Sequence, residues 1–188
     1  MLSRPLVSTS RFLGTPPRSA FSPIAVSTRT MATVPPLPPF TAETAQKKVK
    51  AAQDKWNTKT PHLISPAYTP DSVWRNRDDF FSGTKSIEDF LTRKWQKEHN
   101  YRLRKELFAF DKDRIAVEFW YEYSETKDVS SQWYRTYGLE HWVFAEDGRM
   151  KSRQMSGNTI SIAQDERWFK DRTDVNDGEV PPGHISSK

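Results

Sequence analysis

Glu140 is the residue of this sequence whose type and setting best suit chemistry. It lies in the string Tyr137-Gly138-Leu139-Glu140-His141-Trp142, where strand alternation puts it on one face with Trp142 and Phe144. A carboxyl on an apolar face is pushed toward its neutral form by desolvation, which suits a general acid or base. The same position equally suits a cross-strand ion pair with Arg102, Arg135 or Arg153, which would hold the group ionised. His141 falls on the opposite face, so it cannot pair with Glu140 across one cavity. Arg75 and Arg77 flank Asn76 and could either bind an anionic group or form surface ion pairs. Tyr68, Trp74, Trp95, Tyr101 and Trp142 could wall a pocket, a role that coincides with packing a core.

Other chemistries are excluded by what the chain lacks. Without cysteine there are no disulfides, thiol nucleophiles or cysteine-ligated metals. The four histidines (His62, His99, His141, His184) are scattered, with no metal-ligand spacing. The seven glycines form no nucleophile elbow, phosphate loop or dinucleotide fingerprint. Any reaction is therefore expected to be acid–base chemistry with no metal and no organic cofactor.

The elements that must position these residues are legible from periodicity. Thr41 can cap a helix whose apolar stripe runs Ala42, Ala45, Val49, Ala52 and Trp56, ending near Asn57. A short helical turn is expected at 61–65 and a brief strand at 73–75. A second helix over 85–98 buries Ile87, Phe90, Leu91 and Trp95. The period then changes to two, and strands are expected over 101–110, 114–123, 132–144 and 150–162, joined by hairpin-type turns. A last short helix is expected to hold Trp168 and Phe169. Helices first and an antiparallel meander after them predict an α+β fold, with helices packed on one face of a curved sheet. The strand over 132–144 is apolar on both faces, so the sheet needs two coverings. The helices supply one, and a second subunit is the expected other, which predicts a homodimer.

Composition divides the chain further. The formal charge is +5, yet residues 1–40 carry four arginines and no acid, while the rest holds 25 bases against 24 acids. A folded part so nearly neutral does not predict nucleic-acid binding. No run approaches the roughly 18 apolar residues of a membrane span, so no membrane insertion is expected. Residues 1–13 can form an amphipathic helix with Leu2, Leu6 and Leu13 opposite Arg4 and Arg11, and residues 1–30 read as a mitochondrial transit peptide. Matrix localisation follows, with a cytosolic form if synthesis starts at Met31. Residues 31–39 read as a proline-rich linker, 40–172 as the folded domain and 173–188 as a disordered tail.

The strings YTPDSVWRNRDDFF, FLTRKWQ, YRLRKELFAFDKDRIAVEF, QWYRTYG and DERWF resemble an uncharacterised group within the SnoaL-like branch of the nuclear transport factor 2-like superfamily. The resemblance spans about residues 36–169. It implies a cone-shaped domain, its curved antiparallel sheet wrapped around N-terminal helices, with a central pocket. That pocket serves isomerases, cyclases, dehydratases, epoxide hydrolases and non-enzymatic binding modules, so fold alone does not select a function. Glu140, Trp142 and Asn158 match the group's pattern, whereas Thr159 stands where the group carries Asp. The resulting expectation is a pocket that takes a small, largely apolar organic molecule. Glu140 would be its acid or base, and Tyr68, Trp74, Arg75, Trp95, Tyr101, Trp142 and Asn158 would contact the ligand. The competing expectation is a non-catalytic module for ligand or protein binding.

Overall fold

A computed structural model describes residues 33–170, 174–178, 180–181 and 183–184. The expected leader and the second start at Met31 lie outside the described residues. Everything below concerns the unit Met31–Lys188.

Helix α1 (Ala42–Asn57) opens with a reciprocal cap. Thr44 N donates to Thr41 Oγ1, and Thr41 N donates to Thr44 Oγ1 at 2.8 Å. Its buried face is Ala45, Lys48, Val49, Gln53 and Trp56, so two polar residues enter the stripe that the sequence suggests is apolar. Gln53 does so to bond the sheet edge, and two partly buried residues of α1, Asn57 and Lys50, bond beside it. Gln53 Oε1 accepts from Lys105 N at 2.9 Å, Asn57 Oδ1 accepts from Leu103 N at 2.9 Å, and Lys50 Nζ donates to Lys105 O at 2.8 Å. These side chains satisfy the outermost strand of the sheet, an edge that would otherwise offer unpaired backbone to other chains.

After a short helix α2 (Pro61–Ile64) and a 3-10 turn come strands β1 (Tyr68–Asn76) and β2 (Asp79–Ser82) and helix α3 (Thr84–Lys97). Strands β3 (His99–Asp111), β4 (Arg114–Ser124), β5 (Trp133–Phe144) and β6 (Met150–Ile162) follow as the expected meander. All six strands form one sheet in the order β2-β1-β6-β5-β4-β3, antiparallel except where β1 runs parallel to β6. The sheet is curved and unclosed, and the α+β expectation is met. Two features are not in the sequence reading. Strand β2 is too short and too exposed to show alternation. Strand β1 is longer than 73–75 because its turn-like residues 69–72 bulge out of register between the pairs Tyr68↔Met150 and Val73↔Ser152.

Between the sheet's inner face and the helices lies a core of nineteen buried residues, from Phe40 and Ala45 to Met150 and Met155. The outer face has a second cluster of Trp120, Phe169 and Val175, with Tyr137, Trp168 and Val180 packed on it. Trp168 and Phe169 sit on bends rather than in a helix, because their backbone N–H groups donate to Glu122 at 2.9 and 3.2 Å. Residues 174–178 are likewise ordered against the sheet, where Arg104 donates to the Gly178 carbonyl at 2.8 Å. This corrects the expectation of disorder from residue 173 for that stretch. Part of the outer face therefore finds its covering within the chain.

Gly138 marks the tightest point of the inner face. A Cβ there would lie 1.9 Å from Phe119 Cζ, and Phe119 is itself fully buried. Gly138→Ala should cost about 1–3 kcal/mol by overpacking. Chemical denaturation checks this, and Phe119→Leu on top of it should recover part of the loss.

Candidate functional site

Glu140 points into the centre of the domain, with an exposure of 2 %. Three strands converge on it. In register it faces Val117 of β4 and Met155 of β6, which places Arg153 on the diagonal, opposite Trp142. Arg153 Nη2 donates to Glu140 Oε1 at 2.5 Å, and Lys105 Nζ, reaching over β4 from β3, donates to Oε2 at 2.7 Å. Trp142 Nε1 adds a third bond to Oε2 at 2.7 Å. Asn76 at the end of β1 holds the other side of the Arg153 guanidinium at 3.2 Å.

Aromatic rings enclose this cage. Arg153 lies 4.5 Å from the Trp74 ring centroid and 4.9 Å from that of Trp56, while Lys105 Nζ is 4.7 Å from Phe119 and 5.3 Å from Trp142. Burial raises the Glu140 carboxyl, but Arg153 and Lys105 more than reverse that and hold it down to about 2. Lys105 moves down too, to about 8, although its partner is an acid. Burial dominates that shift, and Arg153 and Lys94 repel the added charge. The reason is arithmetic: one carboxylate faces two buried cations, and the ammonium is the one able to release its proton. The cage leaves a cavity of about 10 Å³, bordered by Glu140, Lys105, Arg153, Tyr101 and Asn76 among others. Such a space holds about one water molecule.

A larger cavity of about 130 Å³ lies beside it, between α1, α2 and the end of the sheet. Trp56 borders both spaces, while Trp142 borders the larger one and donates into the cage. The remaining walls are mainly Tyr68, Ile64, Ala52, Phe144 and Met150, and Val34 and Pro35 lie across it. The described part of the expected linker, residues 33–39, is tied down at both ends. Val34 N donates to Asp147 O at 2.8 Å and Phe40 N to Lys112 O at 2.8 Å.

The sequence candidates separate accordingly. Glu140 and Trp142 meet in the cage, with Trp74 stacked on Arg153 and Tyr101 at the small cavity. Tyr68 faces the apolar cavity, its hydroxyl accepting from Trp56 Nε1 at 3.4 Å and pushed up to about 12 by burial. Trp95 stands edge-on to Trp56 and Tyr101 at 6.0 Å. Two candidates do not join them. Arg75 lies on the outer face, donating to Gln154 at 2.9 Å and Ser156 at 3.0 Å. Asn158 is exposed, pairs in register with Tyr137 and lines an outer groove. Alternation places both on the face opposite Glu140. Of the three arginines considered as partners, Arg153 is the one used, and Arg135 instead pairs with Glu122 at 2.7 Å. Lys105 is missing from the sequence-based candidates, although it continues the inward parity of Tyr101 and Leu103 on β3.

The architecture defines a class. The fold is nuclear transport factor 2-like, shared with solved structures of low sequence identity. One is the epoxide hydrolase/cyclase-like enzyme SalBIII of pyran ring formation in the polyether salinomycin (12 % identity, 62 % of this chain and 92 % of that one, TM-score 0.54). Another is a hypothetical protein with a ketosteroid isomerase-like fold from Catenulispora acidiphila in complex with trimethylamine (12 % identity, 58 % and 84 %, TM-score 0.52). Within that class, residues 38–170 match the family model described as protein of unknown function DUF1348, and the chain belongs to that family. No curated protein matches the sequence.

Removing each charge of the cage should have unequal effects. Glu140→Gln leaves two buried cations uncompensated and should cost about 3–5 kcal/mol, whereas Lys105→Met leaves a neutral Glu140–Arg153 pair and should cost less than about 1 kcal/mol. Thermal melts of the two variants check the order. Lys105 and Lys48 both drop to about 8 from an ordinary 10.5. Above pH 8 the unfolded chain therefore binds more protons than the folded one, and stability should rise from pH 8 to about 10. The rise should be smaller in Lys105→Met. Glu140 works at the other end, adding stability above an ordinary carboxyl range and losing it as pH falls toward 2.

Proposed function

We propose that the protein is a non-catalytic binding module whose ligand is a small, largely apolar organic molecule held in the cavity between α1, α2 and the sheet. The observation that carries this reading is the division of the interior. The central acid is fully engaged by two cations and an indole N–H beside about 10 Å³ of space, while about 130 Å³ of mostly apolar space lies one ring away. A general acid or base works best with a pKa near the working pH, and Glu140 at about 2 stays ionised throughout the physiological range. An apolar enclosure with few polar groups is how small-molecule sites are usually built. A cavity of about 150 Å³ lined by aliphatic and aromatic groups is large enough for benzene. The ketosteroid isomerase-like neighbour, in complex with trimethylamine, supports a ligand of this small scale in this fold.

Toluene should raise the melting temperature of the wild type. Ala52→Leu, which fills the cavity from α1, should raise the melting temperature by itself and abolish the response. No response of the wild type to toluene or similar small hydrophobes, or an equal response of Ala52→Leu, overturns the reading.

The same proposal includes import into the mitochondrial matrix by residues 1–30, on the strength of their acid-free, arginine-bearing composition. It also includes a homodimer. Trp168 stacks edge-on to Tyr137, so the pairing surface is assigned to side chains of the outer face that stay exposed, Leu139 at 57 % and Ile160 at 47 %. Leu139→Asp should convert a micromolar dimer to monomer by light scattering, and a monomeric wild type ends this part.

A further inference from the structure

We infer that the ligand of the apolar cavity is an anion, a small monocarboxylate whose hydrocarbon body fills the cavity and whose carboxylate meets Lys48 and Lys55. This rests on the cavity reading above and adds the charge of the ligand. Thirteen residues line the cavity; two are lysines and none is an acid. Lys48 and Lys55 are seven apart on α1, so they stand two turns apart on one face of the helix.

Neither lysine forms an ion pair among the described residues. Lys48 is 7 % exposed, and its ammonium donates to two backbone carbonyls, Val34 and Gly148, each at 2.6 Å. An ammonium has three donors. Asp147, the acid whose charge acts on Lys48, is already taken by Arg149 through Nε at 2.8 Å and Nη2 at 2.6 Å. Lys48 Nζ also lies 5.2 Å from the ring of Phe144, which is itself a cavity wall.

Two cations thus border a mostly apolar space that contains no counter-charge. Burial, then repulsion from Lys55, pulls Lys48 down to about 8, with Asp147 opposing weakly. A carboxylate placed between the two lysines reverses that repulsion and accepts charge-assisted hydrogen bonds, the stronger kind. A neutral hydrocarbon leaves it unchanged, and an ammonium ligand adds a third cation. A body of about six carbons follows from the volume of about 130 Å³, since a cavity of about 150 Å³ takes benzene. Lys55, half-exposed, leaves the carboxylate end near the mouth.

The test uses four probes of nearly equal size: benzoate, benzamide, benzylamine and toluene. Isothermal titration of the full chain at pH 7 should give benzoate at least about tenfold tighter than benzamide, the effect expected of one added charge-assisted bond, with benzylamine weakest. Titrated near pH 8 in buffers of different ionisation enthalpy, benzoate should bind with uptake of protons, because its charge draws Lys48 back toward the ammonium form. Lys55→Met should bring the benzoate preference toward unity while toluene binding persists. Lys48→Met should do the same, but it also cuts the tie to Val34, so Lys55→Met carries the decision. Benzamide, toluene or benzylamine binding as tightly as benzoate overturns the inference and leaves the apolar-cavity reading standing. Binding of none of the four overturns both.

Discussion

One carboxylate between two cations, shut away from water, is the constraint on which the rest of this domain depends. Glu140 on β5 joins Lys105 of β3 and Arg153 of β6, and Arg153 passes the connection on to Asn76 at the end of β1. Buried ion pairs seldom add much net stability, because desolvating the charges offsets their attraction, but breaking one is costly. Their influence falls on alternatives. A slip of β5 by one residue would turn Leu139 or His141 inward and put Glu140 in solvent, leaving Lys105 and Arg153 buried with no counter-charge. An all-apolar interior would tolerate such a slip far better. The cage therefore selects the register of three strands at once.

The cage also decides where empty space can exist. Phe119 fills the room that Gly138 leaves, and Trp56, Trp74 and Trp142 surround the charges, which leaves about 10 Å³ beside them. Trp142 is used on both sides, its N–H turned to Glu140 and its ring to the larger cavity. An indole suits that boundary because its polar edge and apolar face point different ways. A larger apolar space lies where α1 meets α2 and residues 34–35 cross over, away from the tightly packed charges.

How far the sequence foretells this depends on the range of the interaction. Both long helices, four long strands and the inward parity of Glu140, Trp142 and Phe144 follow from local alternation, and they are where the periodicity puts them. Lys105 obeys the same alternation yet escapes notice, because a lysine in a strand usually reads as solvated. Its partner lies 35 residues away on a strand that is not even adjacent to its own. Arg75 and Asn158 show the opposite error. Arg75 is two strands from Glu140 in a pairing, β1 with β6, that no local pattern announces, and a resemblance in type gave Asn158 a role that its parity contradicts. Residues 69–72 look like a turn but are a register shift inside a strand.

The outer face repeats the inner device for another purpose. Glu122 is fully buried, pairs with Arg135 across the β4–β5 ladder, and accepts backbone N–H groups from Trp168 and Phe169. Arg135 then lies 3.6 Å from the Trp168 ring centroid, and Arg167 covers Trp133 at the same distance. Guanidinium groups are suited to this because they are planar and weakly hydrated, so one face can stack while the edge still donates. Inside, the acid locks strands to one another; outside, it locks the chain's own terminal segment onto the sheet. A strand with rings on both faces does need two coverings, but the second can be supplied in cis. The aromatic excess of β5 therefore does not by itself call for a partner, and any second subunit must be recognised by the side chains that the terminal segment leaves bare.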